Sequence, residues 1–316
     1  MSQKNILSIK NLAVQFLLDK KRIRALSSIN LSIYKREILG IIGESGSGKS
    51  ILALSILKLL PSNTEIKGEI LFDQKNLINL SEKKLSKIRG KKIAWIPQNP
   101  DNSLNPLLQI GKQISESIKL HHKISYKQAR NTTLALLELL QITPARQRIN
   151  QYPFQYSGGM KQRALVAIGA ATFPQLLIAD EPTKGLDIVR KRETLYFLKK
   201  IKSATNASIL LITHDLKFAE KICNRVAIMY CGEIIEISPA SLFFNKPLHP
   251  YSIALLQALP AQGLQNIPGP LPHPLSLPKG CNFSPRCKFF TDKCLTQPPI
   301  IKIKNSYVKC WLYDNP

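Results

Sequence analysis

Gly43-Glu44-Ser45-Gly46-Ser47-Gly48-Lys49-Ser50 carries the plainest chemistry in the chain. The spacing G-x-x-x-x-G-K-[ST], set after a short apolar run and before a helix-forming one, suits a loop that wraps phosphate oxygens in backbone N–H groups. The glycines permit the wrap, and the following helix start adds partial positive charge. Lys49 is then placed to reach the β- and γ-phosphates, and Ser50 to ligate Mg²⁺. A second element, Leu176 to Glu181, is an apolar run ending in two carboxylates. At a strand end beside a phosphate loop, Asp180 suits Mg²⁺ and Glu181 suits polarising an attacking water. A third, Tyr156-Ser157-Gly158-Gly159-Met160-Lys161-Gln162-Arg163, opens a helix with Ser157 as N-cap and two glycines that bare the backbone. That is a second anion-binding helix start. Each element has a plainer reading: a Gly/Ser turn, an acidic strand end, a cap without a ligand. Together they favour two nucleotide contacts.

These residues need strands and helices to hold them. Ile38 to Ile42 is a continuous apolar run, as a fully buried strand shows. Ile51 to Leu60 reads as a buried helix ending at Pro61. The alternation of Ile6, Leu12, Val14 and Phe16, then Leu26, Ile29, Leu31 and Ile33, reads as two strands joined by a basic turn at Lys20 to Arg24. Further strand signals lie at Ile93–Ile96, Leu176–Ala179, Ile209–Thr213, Val226–Tyr230 and Ile234–Ile237, with a helical stretch from Pro106 to Asn150. Strands alternating with helices predict a largely parallel sheet covered on both faces.

Composition narrows the class. The 316 residues are 44% hydrophobic, enough for a sizeable core and too much for bulk disorder. No secretory leader is read at Met1, and the apolar stretch Ala164 to Ala179 is broken by Gly169, Thr172 and Pro174, short of a membrane span. A cytoplasmic protein is expected, in which clustered Cys are more often metal ligands than disulfides. The charge of +25 keeps a polyanion or an anionic membrane face in view. The densest basic run, Lys83 to Lys92, has no interleaved aromatic residues and reads as a solvated face. From Pro260 to Pro278 the chain is proline-rich and uncharged, a stiff irregular linker. Cys281, Cys287, Cys294 and Cys310 follow, spaced C-x5-C-x6-C-x15-C. Four thiolates at that spacing can hold a [4Fe–4S] cluster or Zn²⁺, or stay unliganded or disulfide-bonded. Structural zinc usually uses at least one short C-x2–4-C pair, which is absent here. Cys223 and Cys231 read as small core residues.

Ser157-Gly158-Gly159 with Gln162 resembles the signature sequence of ATP-binding cassette (ABC) proteins, and other segments follow in that family's order. Gln98 resembles its Q-loop glutamine, which contacts Mg²⁺ or water and senses a transmembrane partner. Thr183-Lys184-Gly185-Leu186-Asp187 resembles its D-loop, and His214 its switch histidine on the γ-phosphate. Phe16 sits where an adenine-stacking aromatic lies, although a strand-core Phe is the plainer reading. Trp95 to Pro100, Ser103 to Pro106, His249-Pro250-Tyr251 with Leu255 to Ala258, Ile267-Pro268-Gly269, and Gly280 to Cys287 with Cys294 and Cys310-Trp311 are similar to the peptide/nickel importer group. Three departures stand out: Lys35-Arg36-Glu37 lacks a Gly before the Glu, Lys184-Gly185 replaces a small pair, and Lys288 stands where Pro is common.

The resemblance implies an α/β fold: a P-loop NTPase core, an antiparallel β portion, an inserted helical subdomain at about 100–172, and a small irregular Cys-bearing C-terminal module. The cassette would cover 1–240 and the extension 241–316. It implies an ATPase that energises uptake of dipeptides or oligopeptides, with ATP and Mg²⁺ as cofactors and Ser50, Gln98 and Asp180 as the Mg²⁺ ligands. The four tail cysteines would hold a [4Fe–4S] cluster, with Zn²⁺ as the alternative. Glu181, His214 and Gln98 would serve hydrolysis. Gly43 to Ser50, Phe16 and Asp180 would bind this chain's nucleotide, and Ser157, Gly158, Gly159 and Gln162 the partner's, with Asp187 in the D-loop between them. Implied partners are two membrane-spanning permease subunits, a second ATPase subunit of paralogous sequence and, indirectly, an extracytoplasmic solute-binding protein. The chain would be peripheral on the cytoplasmic face of the inner membrane, with no nucleic acid partner. The rival is a soluble cassette ATPase acting on nucleic acid or ribosomes. Such proteins often carry two cassettes or a long coiled-coil insertion.

Overall fold

A computed structural model describes residues 4–18, 21–259 and 265–314. The chain forms two compact units, one of Met1–Ile6, Ile33–Glu37 and Asn79–Ile212, the other of Leu7–Ser32, Ile38–Ile78 and Thr213–Pro316. β1 (Asn5–Leu18) and β2 (Lys21–Tyr34) are followed by β3 (Ile38–Ile42), α1 (Lys49–Leu57), β4 (Thr64–Phe72) and the short β5 (Lys75–Asn76). One sheet has the order β2-β1-β4-β5, with β4 antiparallel to both neighbours. Lys21 to Arg24 belong to β2 and not to a turn, while Lys20 lies outside the described residues. β3 is buried along its whole length, as its apolar run requires. α1 stops at Leu57, because Lys58 takes a left-handed conformation and its N–H caps Leu54 and Ser55.

The middle of the chain supplies α2 (Glu82–Leu85), β6 (Ile93–Ile96), α3 (Pro100–Ser103), α4 (Ile110–His122), α5 (Tyr126–Leu139), α6 (Ala145–Arg148), α7 (Gly158–Ala170), β7 (Leu176–Asp180), α8 (Ile188–Thr205) and β8 (Ser208–Thr213). β7 runs parallel to β6 and to β8. α4 buries Ile110, Ile114 and Ile118, one face at i, i+4 and i+8. α5 opens with a capping box between Ser125 and Gln128. The two helices share a buried Ser115–Thr133 hydroxyl contact of 2.8 Å. Of the basic run, Lys83, Lys84, Lys87 and Lys91 are exposed.

The last third gives α9 (Leu216–Ile222), β9 (Arg225–Tyr230), β10 (Glu233–Pro239), α10 (Ala240–Asn245), α11 (Pro250–Gln257), β11 (Ile300–Ile303) and β12 (Ser306–Lys309). Within its unit the strand order is β11-β12-β10-β9-β3. β9 is parallel to β3, and the later pairings are antiparallel. The irregular module read from the sequence thus contains a two-stranded ribbon that extends a sheet. The buried Glu236 carboxylate fixes the return of the chain, accepting N–H bonds from Leu248 at 3.1 Å and His249 at 2.8 Å. Burial, with the Lys309 charge adding to it, lowers the His249 pKa to about 3. The neutral ring accepts the Tyr251 N–H at Nδ1, 3.0 Å away.

α7 lies close against β6 and β7 because Gly169 has no side chain: a Cβ there would stand 2.6 Å from Ile96 Cγ1 and 3.3 Å from Leu177 Cδ1. Overpacking of this kind costs about 1–3 kcal/mol. Gly169→Ala is expected to lower Tm by about 2–6 °C in a thermal unfolding scan. An unchanged Tm would mean that the helix can move off the sheet without cost.

Candidate functional site

The phosphate loop is shaped by close backbone packing. A Cβ on Gly43 would come within 2.2 Å of Met229 O in β9, and Gly48 holds φ +103° against Leu26, Met229 and the Ala25 carbonyl. Few residues but glycine adopt that φ. Ser47 O accepts the Gly232 N–H at 2.9 Å, which fastens the loop to the β9–β10 turn. α1 begins at Lys49 with Gly48 as its cap. The Lys49 ammonium is buried and donates to Gly43 O and Glu44 O, each at 2.8 Å. Its charge is therefore held within the loop at a helix start, the arrangement an anion requires. Ser50 is exposed on the first turn. Phe16 is half-buried near the end of β1, opposite Thr64. His214 is exposed and follows β8; Asp215, not the histidine, caps α9 by accepting the Phe218 N–H at 3.0 Å.

The other unit holds the remaining sequence-predicted residues. Ser157 caps α7 by accepting the Met160 N–H at 3.3 Å, and Ser157 and Gly158 are exposed. Gln162 is buried and donates to Pro182 O at 3.0 Å, tying α7 to the turn after Glu181. Asp180 ends β7 as a buried residue. Glu181 is buried at φ +47° and donates its N–H to Ile212 O at 2.8 Å. A non-glycine residue in that region is strained and is held there by its surroundings. Gly185 takes φ +73° in open space, and Asp187 caps α8 through the Arg190 N–H at 2.9 Å. Gln98 is half-buried just before α3, and α3 is tied to α7 by Lys161–Asp101 at 2.6 Å.

The four tail cysteines line one cavity of about 520 Å³ together with His249 and Trp311. No disulfide joins them among the described residues. Burial pushes the Cys281 and Cys310 thiols up to about 11, opposed by the N–H groups of Phe283 and Leu312, and also raises Cys287. The Phe289 N–H points at Cys287 Sγ, 3.4 Å away. Among the described residues no group of three or more His, Cys, Asp or Glu is arranged around a single metal ion. Cys223 is buried and its thiol is pushed up to about 12 by burial, as a core residue's would be, while Cys231 is half-buried in a turn.

Sequence reasoning missed the residues that hold Glu44. The Tyr251 hydroxyl accepts the Glu44 N–H at 3.0 Å. Arg286 grips the carboxylate in a fork, Nη1–Oε2 at 2.8 Å and Nη2–Oε1 at 3.1 Å. Both residues lie inside motifs already singled out, His249-Pro250-Tyr251 and Cys281 to Cys287. Nothing local in the sequence signals their contact with a loop more than 200 positions away.

Residues 26–184 match the ABC transporter family model, and residues 235–294 match the oligopeptide/dipeptide transporter C-terminal region. The chain is similar to the oligopeptide transport ATP-binding protein OppD of Haemophilus influenzae, 39% identical over 97% of both chains. It is 40% identical to OppD of Escherichia coli K12, over 93% of this chain and 89% of that one. With OppD of Bacillus subtilis 168 the identity is also 40%, over 97% and 88%. Among solved structures it resembles the dimeric cassette MJ0796 in a post-hydrolysis state bound to ADP and Pi, with TM-score 0.66 and 27% identity over 74% of this chain and 98% of that one. It also resembles cbiO1 from Clostridium perfringens, part of the ABC transporter complex cbiONQ, with TM-score 0.65 and 26% identity over 82% and 96%.

Proposed function

We propose how the residues divide the work on one premise: the chain belongs to the ABC transporter family, in its oligopeptide/dipeptide group. It is the ATP-binding subunit of an oligopeptide import system and an ATPase, so its cofactors are ATP and Mg²⁺. It works in a complex with permeases and a binding protein, in association with a membrane. No described helix is long and apolar enough to cross that membrane. The partners we read are two membrane-spanning permeases, a paralogous second ATPase subunit and an extracytoplasmic binding protein, with this chain peripheral on the cytoplasmic face. The rival role on nucleic acid or ribosomes is set aside, because residues 235–294 match a transporter region. We take 1–240 as the cassette, with its helical subdomain at about 100–172, and 241–316 as the extension.

The observation that carries the site reading is the buried Lys49 ammonium, held 2.8 Å from the Gly43 and Glu44 carbonyls at the start of α1. There N–H groups of the loop, apart from that of Ser47 which bonds Glu44 O, receive phosphate oxygens and Lys49 neutralises them. Phe16 stacks on the adenine. Ser50, Asp180 and Gln98 each offer a hard oxygen donor and would hold Mg²⁺, which would supply charge neutralisation for the phosphates. Glu181 accepts the proton of the attacking water, with His214 and Gln98 orienting it. Ser157, Gly158 and Gly159 face the nucleotide of the second subunit, across a dimer contact in which Asp187 lies, while the buried Gln162 supports them from behind by its bond to Pro182 O. The dimeric form of a related cassette supports this arrangement.

We read the four tail cysteines as ligands of a [4Fe–4S] cluster rather than of zinc, because no short C-x2–4-C pair is present. They line one cavity, and the Phe289 N–H is directed at Cys287 Sγ. Such a group would tie together a segment in which Phe289, Phe290, Leu295, Ile300 and Leu312 are exposed rather than packed in a core.

Glu181→Gln is expected to retain MgATP binding within about threefold and to lower turnover of the assembled transporter by about 10²-fold or more. Turnover within a few-fold of wild type would remove Glu181 from the base role. For the tail, protein purified without oxygen is expected to carry about four iron with matching sulfide, lost in Cys287→Ser. One zinc per chain with no visible absorbance would replace the cluster and leave the ATPase reading intact.

A further inference from the structure

We propose that Arg286 is a positioning residue for the phosphate loop: it neutralises the carboxylate that the loop itself carries at Glu44 and turns it away from the phosphates. The inference rests on the reading of Gly43 to Ser50 as the ATP site. A loop that receives a triphosphate gains from every positive charge and loses from every negative one. Glu44 places a carboxylate one residue into that loop. Its side chain is 30% exposed, whereas that of Arg286 is 4% exposed, so the pair is shielded on one side and poorly screened. Bidentate guanidinium–carboxylate pairs fix direction as well as charge.

The guanidinium is itself held in place. Its Nε donates to Pro268 O at 2.9 Å, and Nη1 also reaches the Tyr230 hydroxyl at 3.3 Å. Burial opposes the charge, and the bonds to Glu44 and Tyr230 more than offset it, so its pKa is raised. Tyr251 completes the grip by taking the Glu44 N–H, which removes that donor from the phosphate cradle. Tyr230, Tyr251 and Phe283 pack ring against ring, with centroids 4.6–5.4 Å apart, behind the pair. Leu271, in the proline-rich stretch, lies 3.5 Å from where a Cβ on Gly46 would stand. Glu44 is thus held at backbone and side chain by residues that follow position 229. Arg286 also closes the 3-10 turn Ser284–Arg286 that leads directly into Cys287.

The test is the Kd of MgATP for the full chain by titration calorimetry, with thermal unfolding run on each variant. Arg286→Gln leaves the carboxylate unpaired beside the phosphates and is expected to raise Kd about tenfold, the worth of one charge-assisted hydrogen bond. Glu44→Gln/Arg286→Gln removes the repelling charge as well and is expected to return Kd to within about threefold of wild type. A purely structural arginine would not be rescued in this way. Glu44→Asp keeps the charge but withdraws it from the fork. It is expected to weaken binding about fivefold with Arg286 intact, which keeps the inference testable if Arg286→Gln does not fold. Arg286→Gln or Glu44→Asp binding within twofold of wild type, or a double variant as weak as Arg286→Gln alone, would overturn the inference. A wild-type chain that bound no MgATP would overturn the ATP reading itself, before any variant is compared.

Discussion

Backbone crowding at the phosphate loop constrains everything around it. Gly43 leaves no room for a side chain against Met229 O, Gly48 turns at φ +103°, and Ser47 O is fastened to Gly232 N–H. These contacts require β3 and β9 side by side and parallel, and the β9–β10 turn within hydrogen-bond reach of the loop. Given that frame, the Lys49 ammonium can be buried, because it donates hydrogen bonds to two loop carbonyls, Gly43 O and Glu44 O. The cost of burying its charge is offset again when phosphate arrives.

The C-terminal segment is joined to this frame by strong contacts. β12 pairs with β10, Lys309 meets Glu233 at 2.9 Å, and the Tyr313 hydroxyl donates to Leu248 O at 2.8 Å. The Glu236 carboxylate holds the start of α11, which brings Tyr251 to Glu44. Phe283, one of the rings packed with Tyr230 and Tyr251, also lines the four-cysteine cavity, and Arg286 directly precedes Cys287. The diffuse charge of +25 adds a favourable background for a polyphosphate but selects no particular position.

Much of the site was legible because its chemistry is local. Ser157 caps a helix three residues on, and Gly43 to Ser50 is shaped within eight positions, so residue type and spacing suffice. β3, β6, β7, β8, β9 and β10 were each visible as apolar runs. β4 was not, because its burial pattern is exposed at Lys67, Gly68 and Glu69, and β11 and β12 were hidden by their lysines and a half-exposed face. The basic stretch Lys21 to Arg24 read as a turn, yet it continues a strand, where sheet pairing overrides the polarity of the side chains. Glu44 with Tyr251 and Arg286 could not be read, since a pair separated by 242 positions leaves no periodic trace in a single sequence.

In the proposed arrangement Ser157 serves the other subunit's nucleotide while Lys49 serves this chain's own. Ser157→Arg separates the two most directly, with MgATP binding measured on the isolated chain and ATP hydrolysis on the assembled transporter. Binding within about twofold of wild type and hydrolysis reduced about 10²-fold or more are expected. Equal loss of both would place Ser157 in this chain's own site and contradict its service to the second subunit's nucleotide.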